Sequence, residues 1–289
     1  MPIGLLTGLG AALAWGTLDV FSALASRQIG SLRVTTGMQL VGAALIWVLA
    51  LARGVSFPSD PAVLIGGSLV GLAGAGAYLA YFTGLRIGPI AVVSGMVAAY
   101  GGLTVVLAVL LRGESLTPLQ ALGATIATGG VILTGVAFGG GLRGVRFAGP
   151  GVAFAIVALV LFAIMTIGSD VVLERTGWIE VLLVSRSANA VISVLVLIVA
   201  MTALRVPAAP LLQGEEADGG RIDTRVIAAV GLAGVLDVIG LMSFAYGLEV
   251  AETWLVGLAI VKQLVEGSGG RVGAESREGT TRFWFSLPG

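Results

Sequence analysis

The stretch AGPGVAFAIVALVLFAIMTIG, residues 148–168, contains no charged side chain. An α-helix rises about 1.5 Å per residue, so this stretch would extend about 31 Å, which matches the hydrocarbon core of a bilayer. Its length and composition therefore predict a transmembrane helix. Seven further apolar stretches of similar length lie at 3–24, 34–52, 62–83, 89–111, 117–138, 179–202 and 225–246. Together the eight stretches predict an all-α polytopic membrane protein.

The overall composition excludes most other classes of protein. Apolar residues make up 57% of the chain and charged residues 11%, against roughly 45–50% and about 25% in soluble domains. The 16 basic and 16 acidic residues cancel, so no basic surface for nucleic acid is expected. The chain has neither Cys nor His, which removes disulfides, thiolate chemistry and imidazole ligands. We therefore predict no enzymatic activity, no cofactor and no metal site.

A weak internal repeat divides the chain into halves. The segment AYFTGL at 80–85 resembles SFAYGL at 243–248, which lies 163 residues later. The segment QIG at 28–30 resembles RTG at 175–177, which lies 147 residues later. Five spans precede the second copy, and an odd number of spans would place that copy upside down in the membrane. The predicted architecture is an inverted repeat of five-span halves, whose second half is truncated after three spans and the start of a fourth.

Short motifs in a fixed order suggest a family for most of the chain. They are Ala14-Trp15-Gly16, Gly84-Leu85 with Gly88-Pro89, Leu111-Arg112-Gly113-Glu114 and Leu116-Thr117. With these motifs, residues 1–256 resemble an EamA-type member of the drug/metabolite transporter superfamily. The resemblance implies a first domain over 1–138 and a truncated second domain over 148–256. It also implies a multi-pass protein of the cell membrane that moves a small metabolite by alternating access.

The composition changes near Gly257. Charged residues become frequent, and two segments with alternating apolar positions, 271–276 and 281–287, predict a β-hairpin. With Gly257-Leu258-Ala259-Ile260-Val261-Lys262 and Phe283-Trp284-Phe285-Ser286-Leu287-Pro288, residues 257–289 resemble the extreme C-terminus of a histidine-kinase ATP-binding domain. The nucleotide-binding boxes of that family are missing and the chain has no His, so we interpret this tail as a remnant.

Three functions are compatible with these observations. The first is a drug/metabolite-type carrier, whose partners would be the lipid bilayer and an unidentified small molecule. The second is a non-functional chimera of a truncated transporter with a kinase remnant, which inserts but does not transport. The third is the membrane sensor of a signalling kinase, against which the missing nucleotide boxes argue. The missing spans would also leave an apolar gap, through which a homodimer could form.

Charged residues inside the spans are the primary candidates for a functional site. A charge at the centre of a span costs roughly 2.5–3.5 kcal/mol on insertion scales, so Asp19, Arg186 and Asp237 require an explanation. Arg186 and Asp237 could form a buried pair, which would serve either structure or function. Without His, a carboxylate such as Asp19 is the best available proton-coupling group, although a position at the interface would explain Asp19 equally well.

Aromatic residues complete the set of candidates for substrate binding or proton coupling. Tyr81 and Tyr100 could line a cavity, and Trp15 lies one turn before Asp19. The alternative for these aromatic side chains is anchoring at the membrane interface. Gly67 and Gly71 have the G-x-x-x-G spacing, which predicts close packing between helices.

Overall fold

The computed structural model describes residues 2–113, 125, 129, 150–202, 223–250, 271–277 and 280–286. In chain order its elements are α1 (Pro2–Ile29), α2 (Ser31–Ala52), α3 (Pro61–Ile87), α4 (Ile90–Ala98), α5 (Tyr100–Arg112), α6 (Pro150–Leu173), α7 (Trp178–Thr202), α8 (Thr224–Val250), β1 (Arg271–Arg277) and β2 (Thr280–Ser286). Seven segments of the described residues are long and apolar enough to cross a membrane, and α4 with α5 forms one of them. This confirms the helical polytopic class. The predicted span at 117–138 lies outside the described residues except at positions 125 and 129.

The first connection is shorter than the sequence predicts. The apolar stretches at 3–24 and 34–52 predict a connection over residues 25–33. Instead α1 continues to Ile29 and α2 begins at Ser31, so that Gly30 alone separates them. Gly30 has φ 88° and ψ 147°, a conformation that glycine adopts without steric cost. One residue is therefore enough to reverse the chain.

The predicted span at 89–111 is two helices. Ala99 separates α4 from α5 with ψ −6°, and its N–H bonds to the carbonyl of Met96 three residues earlier. Such a tightened turn interrupts the regular ladder of an α-helix, and Gly101 and Gly102 directly after it favour a bend. The break places Tyr100 at the beginning of α5.

Helix α3 begins and ends as its sequence predicts. The Asp60 carboxylate accepts a hydrogen bond from the N–H of Ala62, and Pro61 occupies the first helical position, where a missing N–H has no consequence. The helix ends at Ile87, immediately before Gly88-Pro89. These boundaries fix the height of Tyr78 and Tyr81, which lie in the C-terminal half of α3.

Three pairs of helices pack antiparallel. They are α1 with α8, α2 with α7, and α3 with α6. In each pair the residue numbers rise along one helix as they fall along the other. Gly10 of α1 lies beside Ser243 of α8 and Trp15 beside Gly240, while Gly66 of α3 lies beside Val172 of α6 and Gly84 beside Gly151. Between α2 and α7, Thr36 bonds to the carbonyl of Ser193 and Trp47 bonds to Ser187. Each of these pairs joins a helix from before residue 113 to one from after residue 150.

Glycines bring α3 against α7 in a parallel arrangement. A Cβ atom at Gly67 would lie 2.6 Å from Val184, and one at Gly71 would lie 2.5 Å from the carbonyl oxygen of Ser185 and 2.7 Å from Ala188. No other residue fits these positions without movement of a helix. The close packing predicted for Gly67 and Gly71 is confirmed.

The same kind of contact joins α2 to α8, also in parallel. A Cβ atom at Gly37 would lie 2.6 Å from Val230, and one at Gly234 would lie 2.7 Å from Val41. Here one glycine belongs to each helix. The close approach brings the polar residues of α2 and α8 into the same buried layer.

The two strands form an antiparallel pair. Arg271 is opposite Ser286 and Arg277 is opposite Thr280. They include residues 271–276 and 281–286 of the alternating segments noted in the sequence. Residues 251–270 and 287–289 lie outside the described residues.

Candidate functional site

A buried ion pair lies between α7 and α8. Asp237 is 1% exposed and Arg186 is 5% exposed, and Asp237 Oδ2 lies 2.7 Å from Arg186 Nη1. The other carboxylate oxygen accepts a hydrogen bond of 2.7 Å from the Tyr78 hydroxyl on α3. The guanidinium of Arg186 also lies 5.6 Å from the centre of the Tyr78 ring, within the range of a cation–π interaction. The structure therefore brings together two of the residues that the sequence analysis selected.

Gln39 of α2 extends this cluster. It is fully buried and its Oε1 accepts a hydrogen bond of 2.9 Å from Arg186 Nη1. Its Nε2 has no acceptor among the described residues. A buried donor without a partner costs about 1–3 kcal/mol. The sequence analysis missed Gln39, although a neutral amide in the middle of an apolar span was a detectable signal. We call Gln39, Tyr78, Arg186 and Asp237 the arginine cluster.

Small residues make room for the polar side chains at this level. A Cβ atom at Gly42 would lie 4.0 Å from Asp237 Oδ2, and one at Gly74 would lie 3.0 Å from the amide nitrogen of Asn189. Larger residues at either glycine would fill the space beside these polar groups. The glycine content of α2 and α3 thus serves the site as well as the packing.

Asp19 belongs to a second cluster, within the first half of the chain. Ser94 of α4 donates a hydrogen bond of 3.0 Å to Asp19 Oδ2, and the Tyr81 hydroxyl lies 2.9 Å from Ser94 Oγ. Ser94 has one hydroxyl proton, which Asp19 accepts, so Tyr81 must donate to Ser94. The chain of hydrogen bonds runs from Tyr81 through Ser94 to Asp19 and joins α3, α4 and α1. We call these three residues the serine cluster.

Aromatic rings separate the two clusters. Phe162 of α6 lies 5.0 Å from the Tyr78 ring and 6.2 Å from the Tyr81 ring, both nearly edge-on. The centre of the Tyr100 ring lies 5.7 Å from that of Phe162. Tyr78 and Tyr81 lie one turn apart on α3. Tyr78 bonds to Asp237 of the arginine cluster and Tyr81 bonds to Ser94 of the serine cluster. Both rings contact Phe162. No pattern in the sequence marks Phe162 or Ser94, because each resembles many other residues of the spans.

Trp15 occupies a third position, between α1 and α8. A Cβ atom at Gly240 would lie 2.8 Å from Cδ1 of the Trp15 indole. Trp15 is half-buried against the same apolar core that contains Tyr78 and Tyr81. Of the six candidates, Asp237 is paired with Arg186, Asp19 is linked to Tyr81, Tyr100 reaches Tyr81 through Phe162, and Trp15 packs against α8.

The described residues contain no group of three or more acidic residues that could hold a metal ion.

A shallow groove of about 420 Å³ lies between α3 and α7, and its lining is mostly apolar, unlike that of the two clusters. It is lined by Leu64, Ile65, Ser68, Leu69, Leu72 and Ile192. Ile65 and Leu69 are largely exposed, so this apolar groove faces the lipid and suits acyl chains better than a polar solute.

Comparisons with known proteins agree with this architecture. One solved structure, described only as a crystal structure of a protein, has a TM-score of 0.64 and 22% identity, over 92% of this chain and 88% of its own. At this identity the likeness shows the fold alone. No curated protein matches the chain, and no comparison supports the resemblance of residues 257–289 to a kinase domain. The model of the EamA-like transporter family matches residues 2–136 of this multi-pass membrane protein, so this segment is similar to a domain of that family.

Proposed function

We propose that the chain is a drug/metabolite-type carrier of the cell membrane, which moves a small metabolite by alternating access. EamA is a family of transporters, not of enzymes. The observation that carries the proposal is the arginine cluster, which gathers polar side chains from α2, α3, α7 and α8 deep within the spans. Charges at this depth are characteristic of substrate and ion pathways.

Reciprocal contacts support an inverted repeat as the basis of this mechanism. The offset of 147 residues relates α2 to α7, and the offset of 163 relates α3 to α8. If the two halves are related by a pseudo-two-fold axis, each contact between them should recur with the partners exchanged. Three contacts recur in this way. The contact of Gly37 with Val230 corresponds to that of Val184 with Gly67, and the contact of Val41 with Gly234 corresponds to that of Ala188 with Gly71. The contact of Gly42 with Asp237 corresponds to that of Asn189 with Gly74.

In this proposal the two clusters have different tasks. The serine cluster holds Asp19 with neutral donors, so Asp19 can gain or lose a proton without leaving another charge unpaired. The arginine cluster lies between the halves and provides the substrate contacts. Tyr78, Tyr81 and Phe162 fill the space between them, so their rings must separate when the site opens to either side.

Counterflow in vesicles tests the proposal while the substrate is still unidentified. Purified full-length protein would be reconstituted with a cell metabolite extract on one side, and the transferred compounds identified by mass spectrometry. We expect at least one compound to cross, and to cross no longer with the Asp237→Asn variant. If the vesicles move nothing beyond protein-free vesicles, the carrier proposal is wrong and the non-transporting chimera is favoured. Chemical crosslinking of the protein in the same vesicles tests whether it forms the homodimer that the apolar gap suggests.

A further inference from the structure

Two serine side chains of α1 are fully buried and unpaired. The hydroxyl groups of Ser22 and Ser26 have no hydrogen-bond partner in the part of the chain that the structure describes. Many other hydroxyl residues of the spans bond to the carbonyl oxygen four residues earlier in their own helix, as Thr35 and Ser169 do. A buried hydroxyl without a partner is unfavourable. Two of them on one helix therefore require an explanation.

Both serines lie on the same face of α1 as Asp19. An α-helix turns by about 100° per residue, so Asp19, Ser22 and Ser26 lie within about 60° of one another around the helix. They follow one another toward the end of α1 at which Gly30 joins it to α2. Ser26 lies about 5 Å before that end, at 1.5 Å per residue. The three side chains therefore connect the carboxylate of the serine cluster with one end of the helix bundle.

The spacing of these three groups suits water molecules. Positions one turn apart on a helix have Cβ atoms about 5–6 Å apart, and two hydrogen bonds of about 2.8 Å through one water molecule cover that distance. One water molecule would thus bridge Ser26 to Ser22, and a second would bridge Ser22 to Asp19. A hydroxyl group donates one hydrogen bond and accepts two, so both serines would hold such a chain of oxygens without adding a charge to the membrane.

The groups that face Asp19 are neutral. Ser94 of α4 donates to its carboxylate, and Tyr81 of α3 donates to Ser94. No described residue forms an ion pair with Asp19. Arg27 directly follows Ser26 and is the other charged residue of α1, so the line of serines ends at a charged group near the end of the helix. A proton that reaches Asp19 along this line therefore displaces no cation.

We infer that Ser22 and Ser26 form a proton path, which water fills when the carrier opens and which connects Asp19 with the solution at the Gly30 end of α1. The inference rests on the proposed carrier function, in which Asp19 gains and loses a proton. A proton enters at the water molecule beside Ser26, and each oxygen of the chain then passes one of its own protons to the next. Asp19 gains one proton, the solution at that end loses one, and no other reactant is needed.

Cysteine labelling tests the path without any transport, because the chain has no Cys of its own. The variants are Ser22→Cys, Ser26→Cys and the control Ala25→Cys, each in the full-length protein reconstituted in vesicles. Ala25 is as buried as the two serines and belongs to the apolar core. We expect thiols at positions 22 and 26 to react with a small water-soluble methanethiosulfonate about tenfold faster than the thiol at position 25, because only they meet water.

The order of the labelling rates tests the entrance of the path. The thiol at position 26 should react faster than the thiol at position 22, since it lies nearer the Gly30 end. Equal rates at positions 22, 25 and 26, or no reaction at 22 and 26, would overturn the path. A faster reaction at position 22 than at position 26 would overturn the proposed entrance.

Alanine variants distinguish a proton path from a structural role. Ser22→Ala and Ser26→Ala each remove a buried hydroxyl without a partner, so the Tm should stay at or above that of the wild type. Proton uptake by vesicles under an imposed pH gradient, measured with a trapped pH-sensitive dye, should fall about tenfold, the rate equivalent of one lost hydrogen bond. The control Ser169→Ala removes a hydroxyl that bonds to its own helix, and it should leave proton uptake unchanged. A lower Tm with unchanged proton uptake in the variants at positions 22 and 26 would overturn the path.

The two proposals fail separately. If the thiols at positions 22 and 26 react as expected but the vesicles take up neither a metabolite nor protons, the water-filled path stands and the carrier is wrong. If both alanine variants transport a metabolite and take up protons at the rates of the wild type, the carrier stands and the path is wrong.

Discussion

The arginine cluster and the serine cluster solve the same problem in different ways. Each holds one carboxylate within a span, and each uses a tyrosine of α3. Asp237 has a cation as its partner and is 1% exposed. Asp19 has a neutral hydroxyl as its partner and is half-buried. One cluster joins helices of both halves, whereas the other lies wholly within the first.

The difference in partner decides what each carboxylate can do. A proton on Asp237 would leave the buried Arg186 with an uncompensated positive charge, which is strongly unfavourable. A proton on Asp19 leaves only neutral groups behind. We therefore expect the arginine cluster to be rigid and essential for stability, and the serine cluster to exchange protons at little cost in folding.

The largest expected effect is that of Asp237→Asn. The substitution keeps the shape of the side chain but leaves Arg186 buried without a countercharge, so it should lower the free energy of unfolding by about 3–5 kcal/mol. The ion pair therefore predicts a loss of stability in addition to the loss of transport. Thermal unfolding in detergent measures it. The double variant Asp237→Asn with Arg186→Gln should recover much of the loss, and its failure to do so would show that the pair is not what matters.

Gly71→Ala tests how closely α3 supports the arginine cluster. The new methyl group would lie 2.5 Å from the carbonyl oxygen of Ser185, the residue before Arg186. We expect a loss of about 1–3 kcal/mol in the free energy of unfolding, because the backbone of α7 must move. The control is Gly231→Ala, where no atom lies within 4 Å of the new methyl. It should be neutral or slightly stabilising, and equal losses in the two variants would contradict the packing argument.

The Ser94→Ala variant should distinguish the roles of the two clusters most clearly. It removes the hydroxyl between Tyr81 and Asp19, and should cost about 1 kcal/mol in stability, since Asp19 is only half-buried. Its effect on proton-driven transport should be far larger than its effect on folding. Asp19→Asn is the matched variant, and it should likewise reduce transport much more than it lowers the free energy of unfolding. A stability loss as large as that of Asp237→Asn would contradict the distinction between the clusters.

The spans and the charged candidates could be predicted because both depend on the free-energy cost of placing individual residues within the membrane. A run of apolar residues has few alternatives to a membrane helix, and Asp19, Arg186 and Asp237 were conspicuous because charges rarely lie in such runs. The break at Ala99 could not be predicted, because the apolar pattern continues through it. The pattern likewise gave no reason for α1 to extend to Ile29.

The partners of the charges required the tertiary structure. Ser94 is one of many hydroxyl residues in the spans, most of which bond to their own helix, as Thr104 and Thr166 do. Only the approach of α4 to α1 gives Ser94 its role. Gln39 could have been selected by its polarity, and its equivalence to Arg186 follows from the repeat offset. Their contact becomes visible only when α2 and α7 are packed together.

The smallest expected effect is that of Arg112→Gln, which tests an exposed ion pair against the buried one. Arg112 Nη2 lies 3.1 Å from Asp170 Oδ2 and also contacts Glu174, and both carboxylates are more than half exposed. Exposed pairs contribute about 0–1 kcal/mol and are screened by salt. We expect a change of at most about 1 kcal/mol, and one that disappears at high salt. In contrast, the loss caused by Asp237→Asn should depend little on salt, because Asp237 and Arg186 are buried in the closed state that the structure shows. If both variants responded to salt in the same way, the arginine cluster would have to be open to solvent.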